Sequence, residues 1–132
     1  MIKEILSLAD AALARDCGAD GIILSNHDSR QLDQAVSPLQ VLTSVLEQAG
    51  GLTMMIDSGF RRGTDVIRAL ALGAHAVFIG RPFLFAVAFA GQSGVAHAIK
   101  LLAREIHRDV AMLGVLNVDD IGREMLRSAN AM

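Results

Sequence analysis

The chain reads as α/β, about four parallel strands with flanking helices. Short apolar runs alternate with segments of helical periodicity, the pattern of a parallel sheet between helical layers. Nearly every polar residue of chemical interest falls just after an apolar run, at the C-terminal edge of the sheet, where TIM barrels and doubly wound sheets both keep their sites. Periodicity alone leaves both architectures open. A complete eight-stranded barrel typically takes ~250 residues, so in a barrel these 132 residues would be its second half, and they form one domain at most.

The elements follow in order. Ile2 to Leu6 is a strand stub, and Ser7 caps a helix that runs through Cys17, with Gly18 and Gly21 at its exit. Gly21 to Ser25 is a strand. Ser37-Pro38 opens the next helix with proline in its first turn, and Gly50-Gly51 stops it after about Gln48. Leu52 to Ile56 is a strand ending in Asp57-Ser58-Gly59. A helix over Arg62 to Leu72 stops at Gly73, and Ala76 to Ile79 is the last strand. From Gly94 to Leu113, Val95, Ile99, Leu102, Ile106, Val110 and Leu113 recur at steps of three and four, predicting a long amphipathic helix. A short helix over Val118 to Arg127 closes the chain.

Composition narrows the function classes. A formal charge of −2 gives no basic field for nucleic acid. Cys17 is the single cysteine, which excludes an internal disulfide framework, fits a reducing compartment and reads as a small buried helix residue. No run approaches the ~18 consecutive apolar residues of a membrane span, and the first residues lack the parts of a signal peptide. The expectation is a soluble cytoplasmic chain. No His, Cys or carboxylate spacing suggests a metal site, and His97, His107, Arg62 and Arg68 read as solvated helix residues.

The chemistry concentrates in Ser25-Asn26-His27-Asp28-Ser29-Arg30-Gln31-Leu32-Asp33. Imidazole exchanges a proton near neutral pH, and guanidinium grips a carboxylate through two parallel hydrogen bonds. His27 and Arg30 together suit a small acid that must lose a proton. Lys3 adds a cation at another strand end. Asp57-Ser58-Gly59-Phe60-Arg61-Arg62-Gly63 adds a carboxylate, permissive backbone and two guanidiniums. Gly80-Arg81 joins close backbone approach to a positive charge, as a phosphate requires.

Taken together, these motifs resemble the FMN-dependent α-hydroxy-acid dehydrogenase/oxidase family, in which glycolate oxidase, flavin lactate dehydrogenases and mandelate dehydrogenase belong. The resemblance spans essentially the whole chain and leans toward the mandelate dehydrogenase branch. It implies the C-terminal half of a TIM (β/α)8 barrel that oxidises a small L-2-hydroxy acid to the 2-oxo acid with FMN. It further implies His27 as the active-site base and Arg30 as the holder of the substrate carboxylate. Lys3 would lie near the N1/C2 carbonyl edge of the flavin and Ser25 would hydrogen-bond the flavin or its ribityl chain. Asp57, Gly59, Arg61, Gly80 and Arg81 would hold the ribityl and phosphate end. The electron acceptor is not implied. Expected partners are the substrate and either a missing N-terminal half or further copies of the chain, with peripheral membrane association open to the longer protein.

Three positions depart from the family pattern. Asp28 and Ser29 stand where two small residues, usually glycines, separate its histidine and arginine, and Glu4 follows the lysine in place of glycine. Asp28 is expected to pair with Arg30 or to favour imidazolium at His27. Glu4, next to Lys3 on a strand, is expected to face the helix layer. The family's tyrosines and its histidine-orienting aspartate would lie in the other half. The competing reading is therefore a catalytically incompetent fragment, or a phosphate- or FMN-binding half-barrel that self-associates.

Overall fold

The structure, a computed structural model, describes residues 1–127. They fall into two compact units, Met1–Phe60 with Gly73–Ile79, and Arg61–Leu72 with the chain from Gly80 onward.

The first unit contains β1 (Ile2–Ile5), α1 (Leu8–Asp16), β2 (Gly21–Leu24), α2 (Pro38–Gln48), β3 (Thr53–Ile56) and β4 (Ala76–Val77). The strands form one parallel sheet in the order β1-β2-β3-β4. Each helix has a local start signal. Ser7 Oγ accepts the Asp10 N–H at 3.1 Å, and Gln40 Oε1 accepts the Ser37 N–H at 3.3 Å.

Burial in the sheet has the strand period of two. Ile22, Leu24, Met54 and Ile56 are wholly buried, as are Leu42 and Val45 of α2 and Ala11 and Ala14 of α1. Ile23 and Met55, in the opposite phase, are only half-buried. The expectation of strands buried on both faces therefore holds for one face. The other carries Lys3, Ser25 and Asp57 at its C-terminal edge, because each continues the Ile23/Met55 phase. The methionine pair splits accordingly, Met54 filling the core.

β1 carries the main surprise. Glu4 has φ +69°, and the β1/β2 register shifts between Lys3 and Ile5. This is a bulge, with two residues opposite one, and it breaks the alternation. Ile5 returns to the buried face beside Leu24, while Glu4 turns toward His27 rather than toward the helices. The left-handed conformation costs an L-residue roughly 1–2 kcal/mol, which explains physically why glycine suits this position. Cys17 also departs from expectation: it is exposed, because Ala11 and Ala14 occupy the inward stripe of α1 and Cys17 caps its C-terminus.

The second unit contains α3 (Gly63–Ala71) and α4 (Arg81–Leu113). Ile67, Ala71, Val110 and Ile121 form its core, with Leu70, Ile106, Val115, Met125 and Leu126 packed against it. α4 starts well before the expected Gly94, because Pro82 sits favourably in a first turn. It is broken at Ala90 (φ −148°) and Gly91 (φ +54°). As one helix it is long and apolar enough to cross a bilayer. The arm before the break spans only 81–89, well short of the ~20 residues a crossing needs. The expected stripe is unevenly buried, Val110 fully and Ile99 half-exposed. The expected terminal helix is two 3₁₀ turns, Val118–Asp120 and Arg123–Met125. Gly122 interrupts it with extended backbone, and the end of that reading, beyond 127, lies outside the described residues.

The N-terminus of α3 is satisfied from two sides. Asp65 Oδ2 accepts the Arg61 and Arg62 N–H groups at 3.1 and 2.9 Å, and Glu105 Oε2 accepts the Gly63 N–H at 2.8 Å. Arg62 completes the latter with an ion pair at 2.8 Å to Glu105 Oε1. The Arg62 side-chain hydrogen bond, then the Gly63 N–H, hold the Glu105 carboxyl below its ordinary range. A carboxyl depressed on folding stabilises above its unfolded value, about 4.3, and that contribution fades as pH falls through the folded value. Glu105→Gln is therefore expected to lower the urea midpoint at pH 7, with the gap from the parent chain closing on acidification toward pH ~3. A gap that persists undiminished there would disprove the linkage.

Candidate active site

In the first unit the strand ends assemble a continuous polar chain. Lys3 Nζ lies 2.9 Å from Ser25 Oγ and 2.8 Å from Asp57 Oδ2. Ser25 is 1% exposed, so its hydroxyl must be satisfied within the protein. It accepts from Lys3 and from the His27 N–H at 3.0 Å, which leaves its own hydrogen for Ser58 Oγ at 3.5 Å. Ser58 Oγ in turn donates to Asp57 Oδ1 at 2.8 Å and accepts the Asp28 N–H at 3.1 Å. Lys3, Ser25 and Asp57, predicted separately from the sequence, are thus one hydrogen-bonded group.

The His27–Ser29 segment is a single turn in which all three residues have φ near +55°. This explains the glycine preference there, since only glycine enters that region without steric cost. Asp28 tolerates it and uses its side chain: Oδ1 accepts the Gly59 N–H at 2.8 Å. The expected Asp28–Arg30 pair does not form, because the left-handed turn directs the carboxylate to the loop after β3. Arg30 is exposed and makes no ion pair among the described residues. Among the described residues, the Ser29 hydroxyl is held by a 3.4 Å contact from Asn26 Nδ2. Ser29→Gly is expected to stabilise the chain by about 1 kcal/mol, read as a higher urea midpoint. A lower midpoint would show that the turn is not strained at this residue.

His27 Nδ1 lies 3.0 Å from Glu4 Oε1, and both side chains are about half-exposed. Sequence reasoning overlooked three residues here. Glu4 was expected to face away. Ser58 lies inside the Asp57–Gly63 motif with no role evident from its residue type, although it bridges two strand ends. Asn26 Oδ1 is buried without a hydrogen-bond partner, an acceptor open to a ligand donor.

The remaining candidates belong to the second unit. Arg61 is exposed, its backbone N–H held by Asp65. Gly80 precedes the first turn of α4, and a side chain there would meet open space. Arg81 opens the helix and is half-buried. His97, His107 and Arg68 are exposed, as expected, whereas Arg62, expected to be a solvated helix residue, is exposed at the N-cap of α3 but pairs with Glu105. No cluster of His, Cys and carboxylates able to hold a metal occurs among the described residues.

A parallel α/β sheet with a histidine, an arginine and a lysine at its C-terminal edge has the layout of the β/α-barrel class, which keeps its sites at that edge. The sequence profile described as FMN-dependent dehydrogenase matches residues 1–128, and the chain belongs to that family. It is 46% identical over 124 residues to glycolate oxidase 2 of Oryza sativa subsp. indica, covering 93% of this chain and 34% of that protein. It is 43% identical over 128 residues to (S)-mandelate dehydrogenase of Pseudomonas putida, covering 97% and 32%. A solved structure of an oxidised active mutant of (S)-mandelate dehydrogenase superposes with a TM-score of 0.91 at 43% identity, over 96% of this chain and 36% of that one. The four strands and their helices are thus part of a family TIM barrel, and the chain spans about a third of the length of these relatives. Identities of 46% and 43% do not separate a mandelate branch from a glycolate branch.

The residues present fit FMN by the chemistry of their donors. Lys3 offers an ammonium to an electron-rich ring edge, and Ser25 and the unpartnered Asn26 Oδ1 offer polar contacts for ring or ribityl groups. Arg61, Gly80 and Arg81 supply the cationic and backbone donors that a phosphate takes.

Proposed function

We propose that this chain supplies the histidine–arginine loop and the phosphate site of an FMN-dependent enzyme that oxidises an L-2-hydroxy acid to the 2-oxo acid. The observation that carries the reading is the joined group of Lys3, Ser25, Asp57 and Ser58 beside the turn that carries His27. FMN, when bound, supplies the two-electron acceptor. His27 takes the proton lost by the substrate, and Arg30 holds the substrate carboxylate through charge-assisted hydrogen bonds. Lys3, kept in place by Ser25 and Asp57, offsets negative charge that develops beside it. Arg61, Gly80 and Arg81 hold the phosphate end, and Asp57 and Gly59 the ribityl end. A lactate-, glycolate- or mandelate-type substrate and a cytoplasmic setting belong to the same reading.

Two features favour a second reading, in which the chain binds phosphate or FMN and self-associates without turnover. Asp28 occupies the Gly59 N–H, which an anion would otherwise use. One sheet face is also only half-covered, and the sheet leaves Ile2 exposed on β1 and Phe78 exposed after β4. Exposed edges invite association.

The test joins the chain to the N-terminal part of a matching relative and follows the flavin absorbance anaerobically as glycolate, lactate and mandelate are added in turn. Bleaching by one of them supports the enzymatic reading. Retained flavin without bleaching supports the second, and no retained flavin removes both.

A further inference from the structure

Among the described residues, Glu4 is the acidic side chain paired with the His27 ring, and it reaches the ring because β1 bulges. With φ +69° at Glu4, Lys3 and Glu4 both fall on the Lys3–Ser25–Asp57 side of the sheet. Glu4 Oε1 then stands 3.0 Å from His27 Nδ1 and 3.9 Å from Lys3 Nζ. The His27 backbone is held separately, its N–H on Ser25 Oγ and its C=O on the Arg30 N–H at 3.2 Å. Once the turn is set, the ring's freedom is rotation about its side-chain bonds, and Glu4 opposes that rotation.

We propose that Glu4 is a positioning residue for His27: its carboxylate accepts the Nδ1–H, fixes that tautomer and leaves Nε2 as the unprotonated nitrogen that takes the substrate proton. The assignment of Nε2 as base rests on the function proposed above; the tautomer does not. A carboxylate cannot donate, so neutral His27 must carry its hydrogen on Nδ1 to make this bond. Both side chains are about half-exposed, so an ion pair between them is worth little in stability. The consequence lies in orientation, since a general base must be aimed at the proton it removes.

The chain contains its own reference. His75 Nδ1 lies 3.1 Å from the Met54 N–H, while the His75 N–H already occupies the Met54 carbonyl at 2.7 Å. His75 Nδ1 also lies 3.2 Å from the Met54 carbonyl oxygen, but that oxygen already accepts the His75 backbone N–H. Accepting the Met54 N–H is therefore the role that satisfies both groups, and it sets the ring hydrogen on Nε2, the opposite tautomer.

The test is 15N NMR of ring-labelled histidines in the full chain, at a pH where the imidazoles are neutral, with His27 identified from its absence in His27→Asn. His27 is expected as the Nδ1–H form and His75 as the Nε2–H form. Glu4→Gln keeps an acceptor oxygen and should retain the His27 tautomer. Glu4→Gly, which suits the positive φ, should release His27 toward the Nε2–H form while leaving His75 unchanged. Nε2–H at His27 in the parent chain, or the same tautomer in Glu4→Gly as in the parent, overturns the proposal. Neither reading needs flavin or substrate, so failure here is distinct from failure of the bleaching experiment.

Discussion

In the flavin-loaded protein formed with a matching N-terminal part, His27→Asn should slow substrate-driven flavin reduction by about 10²–10⁴-fold, the range of a positioned acid–base group. Asparagine is the appropriate replacement because the position has φ +54°, which asparagine tolerates better than most residues. The imidazole contacts Glu4 and is half-exposed, so its loss leaves the fold and the Lys3–Ser25–Asp57 group in place. Substrate affinity should change little, since Arg30 carries the carboxylate contact. Arg30→Lys should show the converse, a weaker apparent affinity with a smaller effect on the limiting rate, because lysine loses the two-pronged geometry. Anaerobic stopped-flow traces separate the two. A His27→Asn rate within tenfold of the parent would remove His27 as the base.

Ile56→Ala should destabilise the chain by about 2–5 kcal/mol, the range for emptying a large aliphatic site in a packed core. Ile56 is completely buried and is hydrogen-bonded into β3 between β2 and β4. Small domains retain only about 5–15 kcal/mol in total, so the substitution consumes a large share. The control is Ile23→Ala on the opposite, half-covered face, where less surface is removed from water and the cost should be distinctly smaller. Urea midpoints measure both. Equal costs would mean that the two faces are equally buried, contrary to the period-two pattern.

Much of the fold was legible because its signals are local. Ser7 and Ser37-Pro38 mark helix starts, Gly18 and Gly73 mark helix ends, and continuous apolar runs mark the strands. The α4 break was missed because Phe83 to Ala90 is too short a run to show a helical face. The terminal 3₁₀ turns were missed because Val118, Ile121 and Met125 have helical spacing although the backbone is extended at Ile121 and Gly122.

The site divides in the same way. His27, Arg30, Lys3, Ser25 and Asp57 could be named from residue type and placement, since a strand followed by a polar loop brings its chemistry to the sheet edge whatever the details of packing. Their family, and with it FMN, followed from the same motifs. Which groups touch was decided by tertiary structure. Glu4 meets His27 because β1 bulges, and Asp28 meets Gly59 rather than Arg30 because three successive residues turn left-handed. Residue type only disfavours such backbone conformations. Neighbouring strands and loops select them through the hydrogen bonds they complete, so these contacts become visible only when the sheet is assembled.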